Sequence, residues 1–136
     1  MPTHFDLTDS EFEFAFKTCA LEPKLFTHEA HLRLAWIHVR KYGVEQAILN
    51  INAQLLQFVN HVGARDKFNK TVTIAAIRAV NYFINRSESE SFADFIQEFP
   101  RLKYNFKELL AFHYGHDIFK SEKAKREYIE PDLLPF

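Results

Sequence analysis

Apolar residues recur along most of this chain at three- and four-residue intervals, the spacing that gathers them on one face of an α-helix. The clearest case is the segment 44–62. Ala47, Ile48, Ile51, Leu55, Phe58, Val59 and Val62 follow the 3.6-residue period, and Gly63 ends it. Upstream, Thr8 and Glu11 form a T-x-x-E capping box that opens a helix expected to run to about Ala20. Pro23 marks a loop. Thr27 is placed to cap a second helix and Gly43 to stop it.

Downstream, Asn69 can cap KTVTIAAIRAVNYFI. The β-branched run 71–74 would suit a strand taken alone, but Ala75, Ala76 and Ala79 and the overall length favour helix. SFADFIQEF reads as a short helix stopped by Pro100, and NFKELLAFHYG as another ended by Gly115. SEKAKREYI reads as a charged last helix halted by Pro131. The tail 131–136, PDLLPF, is too apolar to float freely, so Leu133, Leu134 and Phe136 are expected to dock on the body.

The pattern predicts an all-α fold: an irregular bundle of five to seven helices forming a single domain over residues 1–136. Composition agrees. Three Gly and five Pro leave little room for the turns of an all-β chain. With 17 basic and 18 acidic residues the net charge is −1, which argues against a protein that grips nucleic acid by neutralising phosphates. The single cysteine, Cys19, precludes an internal disulfide and points to a reducing compartment. The first residues lack the basic and apolar regions of a signal peptide, and no apolar run approaches bilayer length. The expectation is a cytoplasmic protein without membrane partners. A small-molecule or protein partner is left open, and so is a homo-oligomer.

The candidate chemistry lies in FTHEAHLRLAWIHVRKYG, residues 26–43, which holds three of the seven histidines and the only tryptophan. On a wheel of about 100° per residue with His31 at zero, His28, Leu32, Ala35, Trp36, Val39 and Tyr42 fall between about 20° and 140°. Leu34 and His38 lie just to the other side, while Glu29, Arg33, Arg40 and Lys41 take the opposite arc. All three imidazoles are thus expected on the apolar face. His28 and His31 are about 4.5 Å apart in helix rise and can reach one metal ion; His38, about 10.5 Å further along, cannot join them.

A second H-x-x-H, at His113 and His116, could complete a site for Zn²⁺, Cu²⁺, Ni²⁺ or Fe²⁺. Such histidines also serve as hydrogen-bonded core residues, which need partners for their ring nitrogens. His61, near a helix C-terminus, complements the dipole, and His4 looks incidental. Asp117 could orient an imidazole or simply make a turn. Cys19, with only Lys17 as a basic neighbour, reads as a small buried hydrophobe. No phosphate-binding glycine loop and no nucleophile elbow is present.

FTHEAHLRLAW, FNKTVTIAAIRAV and LLAFHYGHDIFKSEKAKREYIEPDLLPF together resemble a small bacterial all-helical family without an established activity. Its pattern is H-x-x-H-L-x-x-A-W, then Y-H-x-T-x-T, then H-Y-S with S-x-x-A-R and P-D-L-x-P. The resemblance covers about residues 26–136. It singles out His28, His31, Trp36, Thr71, Thr73, His113, Tyr114, Ser121, Pro131 and Asp132. Asn69 stands where the family has histidine, Gly115 where it has serine, and KAKRE only approximates its A-R element. His116 lies outside the pattern.

These residues give three open readings. The lead is a histidine-lined interior pocket with a divalent metal on His28, His31 and His113, with or without His116, and with Thr73, Tyr114 and Asn69 as hydrogen-bonding support. The others are a non-catalytic interaction module with structural histidines, and a metal-free small-molecule binder. Catalysis is undecided; a hydrolytic or oxygen-handling reaction would require an open coordination position.

Overall fold

Thr8 accepts from the Glu11 amide at 3.1 Å and the Glu11 carboxylate answers the Thr8 amide at 2.9 Å, so the capping box forms as its spacing dictates. It opens α1, Asp9–Lys17. The computed structural model describes residues 2–136. Those residues are all-α, with eight α-helices and no strand. No helix among them is long and apolar enough to cross a membrane. The chain divides into two compact units, Met1–Phe68 and Asn69–Phe136.

In the first unit α1 stops three residues before the expected Ala20. Cys19 takes a left-handed conformation (φ 60°), and is the only described residue other than glycine with positive φ. Its amide bonds the Phe16 carbonyl and the Ala20 amide bonds the Ala15 carbonyl, which is the Schellman pattern with cysteine in the usual glycine position. Cys19 is therefore a half-buried terminator, not a residue inside the helix.

Helix α2, His28–Tyr42, is capped by the Thr27 hydroxyl on the Ala30 amide at 3.2 Å. Gly43, at φ 86°, ends it and begins α3, Val44–His61. This positive φ is open to glycine at little cost. Helices α2 and α3 pack along each other, and α1 leans on both. The predicted stripe of α3 is the buried one, from Ala47 to Val59, with Val62 half-buried. Phe16 of α1, Phe26 of the loop and Phe58 of α3 form an aromatic cluster with ring centroids 4.7–5.3 Å apart.

In the second unit Asn69 caps α4, Lys70–Ile84, through the Val72 amide at 2.9 Å. Four short helices follow: α5 (Phe92–Glu98), α6 (Arg101–Tyr104), α7 (Phe106–Ala111) and α8 (Glu122–Arg126). The sequence pattern had not separated α6, which Pro100 opens rather than merely ending α5. Helix α8 packs on α4 and stops at Arg126, well before Pro131. The reason is Thr71, fully buried on α4. Its hydroxyl donates to the Glu127 carbonyl at 2.8 Å and accepts from the Ile129 amide at 3.1 Å. That clamp draws residues 127–129 into an extended path that an α-helix could not follow. Ala75, Leu110, Tyr114, Ile118 and Ala124 form the buried centre, with Phe106, Phe119, Ile129 and Phe136 around it.

Candidate functional site

The first turn of α2 carries the two imidazoles that the sequence paired. Against expectation, His28 and His31 are exposed, and of the three α2 histidines only His38 is buried. The wheel misjudged the helix because α2 is buried around most of its circumference, Arg33 included, from Leu32 to Val39. His31 stacks on Phe26 with centroids 3.9 Å apart, so the aromatic cluster braces its ring from one side. Its ring nitrogens make no hydrogen bond among the described residues. Although the side chain keeps accessible surface, desolvation by the surrounding protein, followed by the charge of nearby His28, pushes its pKa down to about 4. The ring is therefore neutral at physiological pH and offers a lone pair.

His38 is a core residue. Its Nδ1 accepts from the Asn50 side-chain amide at 3.4 Å, and its Nε2 is buried without a partner. Burial lowers its pKa; Glu13 opposes the shift and Lys41 adds to it. Glu13 itself accepts from Tyr42 at 2.6 Å and Lys41 at 2.9 Å.

His4 is not incidental. It is buried, with its Nε2 2.8 Å from a Glu29 carboxylate oxygen and its Nδ1 3.3 Å from Arg33 Nη1. Guanidinium has only donors, so Nδ1 is the acceptor and Nε2 carries the proton toward Glu29. Arg33 also donates to the His4 and Leu7 carbonyls at 2.5 and 2.8 Å and to Asp9 at 2.9 Å, with its guanidinium 4.9 Å from the centre of the Phe12 ring. The buried guanidinium ties the N-terminal segment to α2. A histidine four residues before a capping box and an arginine on a largely apolar helix were the available signals.

In the second unit His113, Tyr114 and Asp132 fasten backbone. His113 Nδ1 donates to the Leu134 carbonyl at 2.6 Å, the Leu133 amide donates to the His113 carbonyl at 3.0 Å, and the His113 ring stacks on Phe136 at 3.9 Å. Tyr114 donates to the Ile129 carbonyl at 2.7 Å, and burial, followed by the neighbouring Tyr128, pushes its ionisation up. Asp132 accepts from the Gly115 amide at 2.9 Å, and that bond lowers its pKa. A side chain at position 115 would meet the Asp132 carboxylate at 2.9 Å, so glycine admits this close latch.

The tail docks as expected through its backbone and Phe136, but the Leu133 and Leu134 side chains remain exposed. Ser121 caps α8 at the Ala124 amide, and Asp117 closes a turn on the Phe119 amide. Thr73 bonds the Asn69 carbonyl, and Asn69 Nδ2 reaches the Ile118 carbonyl. His116 is exposed, with its Nδ1 3.9 Å from Asp132. His113 has Nδ1 committed to a carbonyl, which leaves the lone pair on Nε2.

His28 and His31 thus belong to the first unit, and His113, His116, Thr73, Tyr114 and Asn69 to the second. Among the described residues no group of three or more His, Cys, Asp or Glu side chains is arranged to hold a metal ion. No family model, curated protein or solved structure matches this chain.

Proposed function

We propose that this helical protein binds a divalent transition ion through His28 and His31, working in a reducing compartment in keeping with its lone Cys19. The supporting observation is the state of His31: accessible, braced on Phe26, without an internal hydrogen bond, and one helical turn from a second imidazole. Imidazoles at i and i+3 of a helix are a chelating pair for Zn²⁺, Fe²⁺, Cu²⁺ or Ni²⁺. Two protein ligands leave further coordination positions to water or to an incoming molecule.

The test is calorimetric titration of tag-free protein with Ni²⁺ and with Zn²⁺. One ion per chain is expected, with affinity at least about tenfold weaker in both His28→Ala and His31→Ala, since each removes one arm of the chelate. Absence of binding, or binding untouched by both substitutions, overturns the proposal.

A further inference from the structure

Residues 78, 81 and 82 share one face of α4, and residues 85 and 86 lie in the turn that follows its last residue, Ile84. Their side chains are Arg78, Asn81, Tyr82, Asn85 and Arg86, and they form one wall of a cavity of about 480 Å³. The facing wall is the tail, residues 134–136. The tail is not loosely draped there. Leu133, Leu134 and Asp132 are each bonded to the 113–115 turn, and Phe136 is stacked on His113. The concavity therefore follows from the same latch that holds the second unit's end. Its size falls in the range of small-molecule sites, roughly 300–1,000 Å³.

The two walls differ in chemistry. The wall of residues 78–86 has two guanidinium groups, two carboxamides and a phenol. The tail wall presents Leu134, Pro135 and Phe136. No Asp or Glu side chain lines the cavity. Arg86 lies 3.7 Å from the Tyr82 ring centre and donates to the Tyr82 carbonyl at 3.1 Å. That holds the guanidinium carbon over the phenol ring and leaves its remaining donors for another acceptor. Arginine held this way suits planar carboxylate and phosphate oxygens.

We propose that this cavity binds a small organic anion, a carboxylate or phosphate ester with an apolar body. The anionic group sits on the arginine wall and the apolar body on residues 134–136. The site is independent of the imidazole pair on α2.

The test uses the full chain, labelled for amide NMR, titrated with phenyl phosphate, benzoate and neutral benzyl alcohol. Saturable shifts confined to residues 78–86 and 134–136 are expected with at least one anion and not with the alcohol. A response to phosphate alone or to benzoate alone assigns the class. Arg86 is exposed, so Arg86→Gln should keep the fold while weakening binding about tenfold, and added salt should weaken binding in the unsubstituted protein. The proposal fails if neither anion gives saturable shifts at millimolar concentration. It also fails if the alcohol binds equally well, or if binding ignores both Arg86→Gln and salt.

Discussion

Replacing Thr71 by valine tests whether one buried hydroxyl decides where α8 ends. The exchange keeps volume, β-branching and helix propensity nearly constant and removes only the polar atom. That atom makes two bonds, to the Glu127 carbonyl at 2.8 Å and from the Ile129 amide at 3.1 Å. At about 1 kcal/mol for each net bond, the loss is about 2 kcal/mol. It exceeds that figure if both backbone groups stay dry, because a stranded buried group costs about 1–3 kcal/mol. Residue 127 is exposed and both bonds are only partly buried, so the lower figure applies.

The sole tryptophan, Trp36, lies in the first unit and is a poor reporter for this change. Hydrogen exchange at the Ile129 amide reads it directly. Protection should fall about 30-fold, the equivalent of about 2 kcal/mol. Thr71→Ser, which keeps both bonds, should preserve most of it. If Thr71→Val leaves Ile129 protection and urea stability unchanged, the clamp does not hold the extended segment.

Cys19→Gly should stabilise the first unit by up to about 1 kcal/mol, because relief of the left-handed penalty outweighs the added chain entropy; a thermal midpoint lower than the parent's would refute this. His38 has a folded pKa below its ordinary 6.5, so the stability it contributes is present above pH 6.5 and is lost as pH falls toward the folded value. His38→Leu should flatten that slope relative to the parent in urea titrations between about pH 5 and pH 7. An unchanged slope would show that His38 does not titrate with unfolding.

The long helices were legible because their signals are local. Thr8, Thr27 and Asn69 cap where their spacing says, and Gly43 stops α2 where its backbone freedom is needed. The short elements of the second unit were not. Where α8 ends is set by Thr71, more than fifty residues away in sequence, and no periodicity reports such a bond. Cys19 hid the end of α1 because a cysteine does a glycine's work there.

The histidines divide along the same line. The H-x-x-H spacing on α2 located a pair of accessible imidazoles, but their placement on the apolar arc suggested burial, which fell to His38 instead. His4 became a buried hydrogen-bonding residue through Arg33 and Glu29, contacts that only the fold supplies. His113, Tyr114, Ser121 and Asp132 in the second half hold backbone in place.

The imidazole pair is tested most directly by long-range proton–nitrogen correlation spectra of the histidine rings during titration with Zn²⁺. The account predicts that ring nitrogens of His28 and His31 shift together and saturate at one ion per chain, with the ring of buried His38 unmoved. Rings of His28 and His31 that stay fixed while Zn²⁺ binds elsewhere, or fails to bind, would contradict it.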